Sequence, residues 1–351
     1  MNGLPKVLLS PRLRPVTRLA VGSLTVSPMQ AALPRGKAAE VLRYAFDSGI
    51  NFIDTAQYYE NYDIIGDALR LCAAPDDIVV STKTYAYSRE LAVEAVEQAR
   101  KSLDRDVIDI FMLHEQESYN TMRGHFEAYE YLLECREKGI IRAVGASTHH
   151  VTLLEGLMKL MDEGVPVDVC HPLYNKRGIG IADGGEPEMA RMASMLHERG
   201  VGIFGMKALG GGHLSGSPEE AISFVLDKPF IDAVAVGMQS EEEIDANIRL
   251  VSEGSFSEDD RKKLSEKKRS LHVEDYCEGC GACVRRCASG ALRLEECTET
   301  ESGAFDFVAE FATQNGIDVR KARMRAVPDD GKCVRCGYCT KVCPVFALKI
   351  Y

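Results

Sequence analysis

Short apolar runs rich in β-branched residues alternate with amphipathic helical patterns along most of the chain. Eight such runs lie at residues 18–26, 51–56, 78–84, 107–114, 141–148, 166–174, 201–209 and 232–238. Between the third and fourth runs, the segment that begins at Ser88 repeats apolar residues at helical spacing, behind a serine that can cap a helix. Ser217 and Ser240 each have glutamate three positions later, so we expect a capping box at the start of each of the last two helices.

Eight strand and helix units over roughly 240 residues predict a closed parallel (β/α)8 barrel, also called a TIM barrel. An open doubly wound sheet is the alternative, and it is disfavoured because no GxGxxG fingerprint follows the first strand. The chemistry of a TIM barrel lies at the carboxyl ends of its strands. We therefore expect the functional side chains at those ends.

The length and charge of the chain add to this interpretation. The 351 residues are more than one compact core usually holds, so we expect a barrel domain at 1–272 and a smaller domain at 273–351. A formal net charge of -11 argues against nucleic acid and anionic membranes as partners. No run approaches the ~18 apolar residues of a membrane span and no signal-peptide pattern is present, so the sequence predicts a cytoplasmic protein.

Three successive strand ends carry residues suited to proton transfer at a carbonyl. Asp54 lies near the end of the second strand, Lys83 at the end of the third and His114 at the end of the fourth. Tyr59 follows Asp54, and a nearby Lys83 ammonium would lower the tyrosine pKa from about 10. Asp54 can hold that ammonium in place, and His114 can orient a substrate carbonyl. Each residue also has a plain structural interpretation, as a turn-forming aspartate, a solvated lysine and a buried core histidine.

The segments FIDTAQYY, STK and FMLH, in this order, resemble the Asp, Tyr, Lys and His tetrad of the aldo-keto reductases. The resemblance covers approximately residues 15–250. It implies an eight-stranded βα barrel that acts on a small-molecule carbonyl or alcohol with a nicotinamide cofactor, NAD(H) or NADP(H). The implied catalytic residues are Tyr59, Asp54, Lys83 and His114. The spacing favours Tyr59 as the proton donor over Tyr58 and, still more, over Tyr62.

The same resemblance implies a cofactor site in which several family residues are replaced. The implied cofactor contacts are Gly22, Ser23, Ser147, Thr148, His171, Met206, Lys207, Gly237, Glu243 and Asn247. Ser147, Thr148 and His171 stand where the family holds the nicotinamide amide with Ser, Asn and Gln. Met206 stands where an aromatic ring often stacks on the nicotinamide. Hydrogen bonding to the amide is therefore retained in an altered pattern.

The chain lacks the residues with which NADP-preferring members hold the 2'-phosphate. Gly237 and Glu243 stand where those members have Lys and Arg. A carboxylate repels phosphate, although Glu243 also has a structural interpretation as the capping-box partner of Ser240. We expect NADH to be accepted at least as well as NADPH, and weak nicotinamide binding is a further alternative.

Eight of the 12 cysteines lie in the tail, in two runs with C-x2-C-x2-C-x3-C spacing. This spacing is typical of bacterial ferredoxins with two 4Fe-4S clusters, in which the fourth cysteine of each run ligates the other cluster. The expected ligand sets are Cys277, Cys280, Cys283 and Cys343 for one cluster, and Cys333, Cys336, Cys339 and Cys287 for the other. Two structural zinc sites are the alternative, but zinc modules usually present separated pairs of cysteines. We therefore expect a small α+β ferredoxin-like domain after the barrel.

The tail departs from the ferredoxin pattern in two places. Ala288 follows the first run where proline is usual, whereas Pro344 follows the second. The two runs are separated by a long insert, for which we predict a helix at 303–316. The other four cysteines are expected to be buried, inert thiols; they are Cys72, Cys135, Cys170 and Cys297.

The two halves suggest three functional hypotheses. The first is a nicotinamide-dependent carbonyl reductase with an electron-transfer domain. The second is a reductase coupled to ferredoxin or another electron-transfer partner that does not use nicotinamide, and the third is an electron-transfer or binding protein on a retired barrel. A hydride carries two electrons whereas each cluster exchanges one, so a flavin or a radical-tolerant substrate is a candidate intermediary, although no motif marks a flavin site. The complete tetrad disfavours the third hypothesis.

Overall fold

Eight parallel strands form a closed barrel in the larger of the two compact units into which the chain divides. The computed structural model describes residues 3–30, 33–266, 270–274, 276–297, 323–344 and 347–350. The larger unit comprises residues 1–27 and 33–267, and the smaller unit comprises residues 28–32 and 268–351. The barrel strands are β1 Leu19–Gly22, β2 Phe52–Asp54, β3 Val79–Thr84, β4 Ile108–Leu113, β5 Ile141–Thr148, β6 Val169–Pro172, β7 Gly202–Met206 and β8 Ala233–Val236.

The strand order follows the chain order around the barrel. Each strand pairs in parallel with the next, and β8 closes the circle by pairing with β1 in the register Val234↔Leu19. This closure confirms the predicted TIM barrel and excludes the open sheet. The first predicted strand, 18–26, is longer than observed because residues Ser23–Val26 form a 3-10 turn after β1.

Helices alternate with the strands, and a short hairpin of Lys6–Val7 and Val16–Thr17 precedes β1. The described helices of this unit are α1 Arg35–Asp47, α2 Tyr62–Leu71, α3 Arg89–Leu103, α4 Tyr119–Gly124, α5 Phe126–Glu137, α6 Val151–Asp162, α7 Glu186–Glu198, α8 Pro218–Leu226, α9 Glu241–Glu253 and α10 Glu258–Glu266. Further 3-10 turns lie at Gln57–Tyr59, Pro75–Asp77 and Gly210–Gly212.

Two of the three serines predicted to cap helix N-termini do so in the structure. Ser88 and Ser240 have extended backbones, and their hydroxyls accept hydrogen bonds from the N–H groups of Leu91 and Glu243. The Glu243 carboxylate also accepts from the N–H of Gln239 at 2.8 Å. Ser217 makes no side-chain cap bond, because its backbone (φ -142°, ψ 63°) departs from the extended conformation of the other two serines. The capping box predicted there is wrong, although α8 begins at the expected place.

Apolar side chains along the barrel strands alternate between two clusters. Ala20, Phe52 and Phe204 belong to an inner cluster built from the strands and the N-terminal hairpin. Leu19 and Val21 pack in a larger cluster with residues of the helices. This alternation is the period of two expected of strands that have one face inside a barrel and the other under helices.

Strands β5 and β6 approach each other closely at Gly145. A Cβ atom at this position would lie 1.8 Å from the carbonyl oxygen of Val169 on β6. Glycine therefore allows the pairing that continues to Ser147↔His171 and Thr148↔Pro172 at the carboxyl ends of the two strands.

The described residues of the smaller unit form two antiparallel strand pairs and two helical turns, as in a small α+β ferredoxin-like domain. Leu271–Val273 pairs with Leu348–Ile350, and Leu292–Cys297 pairs with Arg323–Pro328. The helical turns are Ala282–Arg286 and Tyr338–Lys341. The helix predicted at 303–316 lies outside the described residues. Among the helices of the described ranges, none has the length and hydropathy that a membrane span requires.

Candidate active site

A buried ion pair occupies the carboxyl ends of β2 and β3. The Lys83 ammonium donates to both Asp54 carboxylate oxygens at 2.7 Å and to the carbonyl oxygen of Thr55 at 2.6 Å. The Ser81 hydroxyl donates to Asp54 Oδ1 at 3.0 Å. Lys83 is 0% exposed, so the ammonium of a long side chain that normally reaches water is enclosed in the barrel.

The opposite charges of Asp54 and Lys83 counteract the effect of burial on the pKa of each group. Burial raises the pKa of Asp54, but the charges of Lys83 and His171 and the hydrogen bonds with them outweigh it, and the pKa lies well below its ordinary value. Burial lowers the pKa of Lys83, and Asp54 opposes that shift. Asp54 is therefore ionised at neutral pH, and Lys83 is held where its charge has a partner.

Tyr59 and His114 lie beside the ammonium. Tyr59 ends the 3-10 turn that follows β2, and its ring centroid is 5.3 Å from Lys83 Nζ. The Tyr59 and His114 rings meet edge to face, with centroids 5.7 Å apart. Burial, followed by the charge of Lys83, lowers the pKa of His114 well below its ordinary value, so this imidazole is neutral. The structure thus brings Asp54, Tyr59, Lys83 and His114 together.

A second polar cluster adjoins His114, and of its members only Lys207 was predicted from the sequence, as a cofactor contact. The ring of Tyr85 stacks on His114 at 4.4 Å, and the Tyr85 hydroxyl donates to the Glu115 carboxylate. Lys207 donates to His149 Nε2 at 3.0 Å, and that nitrogen lies 3.6 Å from Glu115. Burial and the Lys207 charge lower the pKa of His149 to about 4, so His149 is the acceptor in this contact.

Two members of this cluster have a left-handed backbone. Glu115 has φ of 46° and Lys207 has φ of 57°, a region that costs a non-glycine residue about 1–2 kcal/mol. Such conformations are typical of functional sites.

The predicted cofactor residues on β5 to β7 already have partners within the barrel. Ser147 Oγ accepts from the Glu115 N–H at 2.9 Å, and the Thr148 hydroxyl donates to the carbonyl oxygen of Gln116 at 2.6 Å. The ring of His171 is 1% exposed and contacts Phe204 and Asp54. Met206 ends β7 and is half-buried.

The other predicted cofactor residues gather around β1, β8 and the start of α9. A Cβ at Gly22 would lie 3.3 Å from the nitrogen of Gly237, so the two strand ends are adjacent. Ser23 Oγ accepts from the Asn61 amide at 3.0 Å. Asn247 donates to the carbonyl oxygen of Glu243 at 2.8 Å. The buried Oδ1 of Asn247 has no hydrogen-bond partner among the described residues, and so it is available to a ligand donor.

Four cysteines of the tail line one cavity. Cys277, Cys280 and Cys283 come from the first run, and Cys343 comes from the end of the second. No three His, Cys, Asp or Glu side chains in the described ranges converge as ligands of a single metal ion. A ring of thiols around a cavity fits a group of several atoms, such as an iron-sulfur cluster.

The other four cysteines also form a neighbouring set. Burial raises the pKa of Cys336, and the charges of Cys287 and Cys333 raise it further. Burial and the charges of Cys336, Cys333 and Cys283 raise the pKa of Cys339 to about 12. Cys287, the last cysteine of the first run, therefore interacts electrostatically with Cys336 of the second run.

The two runs repeat one backbone conformation. Gly279 and Arg335, at matching positions, have φ of 63° and 54°, and Gly281 and Gly337 have φ of 71° and 79°. The fourth cysteine of each run accepts a backbone N–H bond from four residues later. Ala291 donates to Cys287 Sγ at 3.2 Å, and Ala347 donates to Cys343 Sγ at 3.1 Å. N–H donors to sulfur are among the features that set the potential of an iron-sulfur cluster.

The comparisons with known proteins agree with the fold and with the tail. The sequence model of the Aldo/keto reductase family matches residues 18–220, and a 4Fe-4S dicluster domain matches residues 276–347. The chain belongs to the aldo/keto reductase family of oxidoreductases and has a 4Fe-4S dicluster domain after the barrel. The family inferred from the tetrad is confirmed.

Its curated relatives are distant. Methylglyoxal reductase DkgA of Yersinia pestis is 27% identical over 198 residues, which cover 54% of this chain and 67% of that protein. Aldo-keto reductase family 1 member C2 of Homo sapiens is 27% identical over 174 residues, which cover 42% of this chain and 54% of that protein. The chain therefore spans only part of the length of both.

Solved structures share the fold at low identity. A putative aldo-keto reductase from Pseudomonas aeruginosa superimposes with a TM-score of 0.59 at 22% identity, over 72% of this chain and 97% of that one. The aldo-keto reductase AKR11C1 from Bacillus halodurans has a TM-score of 0.58 at 20% identity, over 75% of this chain and 96% of that one. At this identity the likeness shows the barrel fold alone.

Proposed function

We propose that the barrel reduces the carbonyl group of a small molecule, or oxidises the matching alcohol, with Tyr59 as the proton donor. The observation that carries the proposal is the buried Lys83–Asp54 pair beside the Tyr59 ring. Tyr59 gives its hydroxyl proton to the substrate oxygen while the carbonyl carbon accepts a hydride, so the product is the alcohol and Tyr59 is left as phenolate. The Lys83 charge stabilises that phenolate, and the neutral His114 orients the carbonyl.

A nicotinamide cofactor, when bound, supplies the hydride. We assign its contacts to the residues around the carboxyl ends of the barrel, with the amide side near Ser147 and Thr148 and the far side near Gly22, Gly237 and Asn247. The buried, unpartnered Oδ1 of Asn247 supports a ligand there. Because a carboxylate at Glu243 disfavours a 2'-phosphate, NADH is accepted at least as well as NADPH.

The tail, in this proposal, holds two 4Fe-4S clusters with crossed ligation. Cys343 lines the cavity of the first run, and Cys287 interacts with cysteines of the second, which supports the crossing. The clusters supply one-electron transfer when present. We further propose that the barrel and the tail are separate domains, with the boundary along the chain near residue 272.

A second candidate function is a reductase that takes its electrons from the clusters and a ferredoxin-like partner. The absence of a lysine and an arginine at Gly237 and Glu243 favours it. Reduction of a carbonyl would then use two electrons, one from each cluster, and two protons, one of them from Tyr59.

The deciding experiment compares Tyr59→Phe with Tyr58→Phe in anaerobically purified, full-length protein. Methylglyoxal is the first substrate to test, because a curated relative is a methylglyoxal reductase. We expect Tyr59→Phe to lower kcat/KM by at least about 100-fold, because it removes a general acid. The neighbouring Tyr58→Phe, an exposed ring, should leave kcat/KM nearly unchanged.

The same proteins distinguish the two electron sources. With NADH or NADPH as reductant, turnover that depends on Tyr59 supports the first function. Dithionite-reduced clusters that are reoxidised by substrate, more slowly in Tyr59→Phe, support the second. Equal turnover in Tyr59→Phe and wild type with either reductant would contradict Tyr59 as the donor.

A further inference from the structure

His171 is confined on three sides within the barrel. Its ring stacks on Phe204, with centroids 4.0 Å apart and planes inclined by 18°. Its Nδ1 lies 2.5 Å from the carbonyl oxygen of Phe204, and its Nε2 lies 3.4 Å from Asp54 Oδ2. The ring is 1% exposed, so water does not compete for either nitrogen.

Both ring nitrogens face groups that only accept. A carbonyl oxygen has no proton, so Nδ1 must be the donor to Phe204. The Asp54 carboxylate is ionised and also lacks a proton, and within the described residues it is the only polar contact of Nε2. A neutral ring would point the lone pair of Nε2 at a buried anion, whereas an imidazolium donates to both acceptors.

An imidazolium at this position changes the charge around Tyr59. If Lys83 were its only cationic neighbour, Asp54 would neutralise the Lys83 charge. With a protonated His171 on its other side, the single negative charge of Asp54 is shared between two cations. The remaining groups that face the pair are the neutral His114 and, farther along the mouth, Glu115 and the neutral His149. The buried cluster of Asp54, Lys83 and His171 is then left with net positive charge, which stabilises a phenolate beside it.

We propose that His171 is a positioning residue for proton transfer, which fixes Asp54 against Lys83 and leaves the charge of Lys83 available to the Tyr59 phenolate. The proposal rests on the proposed function of Tyr59. It replaces the expected contact of His171 with the nicotinamide amide, because both ring nitrogens are already engaged inside the barrel.

The protonation of His171 can be tested without any turnover. In oxidised, full-length protein labelled with 15N-histidine, the His171 signals are identified by their loss in His171→Gln. We expect both ring nitrogens of His171 to carry protons in the folded protein, because both face acceptors. A ring nitrogen of His171 without a proton would overturn the proposal. If His171→Gln does not fold, His171→Asn serves for the assignment.

The effect on Tyr59 is measured by ultraviolet titration of tyrosinate, as the difference between each protein and its Tyr59→Phe derivative. In His171→Gln we expect Tyr59 to titrate about one pH unit higher. The kcat for carbonyl reduction should fall about 10-fold to 100-fold, with KM changed by less than about 3-fold. The control is His197→Gln, which removes a histidine that lies 3.2 Å from Asp232, outside the site, and should change neither quantity.

A failure of the proposed function can be distinguished from a failure of the proposed role of His171. If no carbonyl is reduced by the wild type, the proposed function fails while the histidine signals and the tyrosinate titration still decide the role of His171. If the wild type reduces carbonyls and Tyr59 titrates alike in wild type and His171→Gln, the positioning role is wrong.

Discussion

Lys83 is the residue on which the barrel site depends, because its charge is fully buried and has a single carboxylate as its partner. Asp54 has Ser81, Lys83 and His171 around it, whereas within the part of the chain that the structure describes Lys83 has only Asp54 as a counter-charge at hydrogen-bonding distance. Removing one member of a buried ion pair leaves the other uncompensated, which costs about 3–5 kcal/mol. The pair is therefore a structural as well as a chemical element.

We expect Lys83→Met to abolish carbonyl reduction and to lower the free energy of unfolding of the barrel by up to about 3–5 kcal/mol, since Asp54 would lose its closer counter-charge and keep only His171, 3.4 Å away. Urea denaturation followed by circular dichroism measures the change. The control is Lys138→Met, which removes an exposed i,i+4 ion pair with Glu134 and should cost less than about 1 kcal/mol. Equal losses in the two variants would contradict this account of the pair.

The stability of the barrel should depend on pH through Asp54. Its pKa is below the ordinary value in the folded state, so its ionisation stabilises the fold above the unfolded pKa of about 3.9 and this stabilisation is lost as pH falls toward the folded pKa. We expect the difference in unfolding free energy between wild type and Asp54→Asn to be constant above about pH 5 and to shrink below about pH 4. Denaturation at a series of pH values measures it, and a difference that grows on acidification would contradict the lowered pKa.

At the scale of the elements, the register of β5 against β6 places His171 opposite Ser147. The close approach at Gly145 leaves no room for a side chain, since the obstructing atom is a backbone oxygen that cannot move without breaking the strand pair. A substitution of Gly145 would therefore displace the carboxyl ends of both β5 and β6, although it changes no side chain of the candidate site.

We expect Gly145→Ala to destabilise the barrel by several kcal/mol or to prevent folding, because its Cβ would overlap the carbonyl oxygen of Val169. Gly124→Ala is the control, since the end of α4 has open space at that Cβ and the change should be neutral or stabilising by about 0.5–1 kcal/mol. Thermal unfolding of both variants decides. A Gly145→Ala protein as stable as the control would show that β5 and β6 are more loosely paired.

The elements also show what could be read from the sequence. The strands and the tetrad positions were accessible because local periodicity marks strand ends, and a parallel barrel brings those ends together. The contacts of Tyr85, Glu115 and His171 were not accessible, because they depend on loops that meet only in the folded barrel. The cap at Ser217 was predicted from residue types alone, and a backbone angle that no residue type reveals made it wrong.

At the scale of the whole molecule, the tail differs from the barrel in what holds it together. Among the described residues, its buried apolar cluster contains four cysteines of the two runs together with residues of the four strands; the cysteines are Cys277, Cys283, Cys339 and Cys343. Small domains of this kind usually need metal or disulfides in addition to a core. The barrel has a large core of its own and no such requirement.

We expect anaerobically purified protein to contain about eight iron and eight acid-labile sulfide per chain. If ligation is crossed, Cys343→Ser should remove the same electron paramagnetic resonance signal as Cys277→Ser, and Cys287→Ser the same signal as Cys333→Ser. Cys297→Ser, outside both runs, is the control and should keep the full iron content. Stoichiometric zinc, or a Cys343→Ser spectrum that matches Cys333→Ser, would contradict the assignment.

The strand pair that closes the smaller unit also sets a time order for its completion. Leu271–Val273 pairs with Leu348–Ile350, so the first strand of the unit waits for a partner made about 75 residues later, and at about 5–20 residues per second this takes about 4–15 seconds of synthesis. The barrel strands have all left the ribosome by then. The thiols of the first run therefore remain accessible to oxidants and to other metal ions during translation, and iron-sulfur assembly is completed only after all the barrel strands have been synthesised.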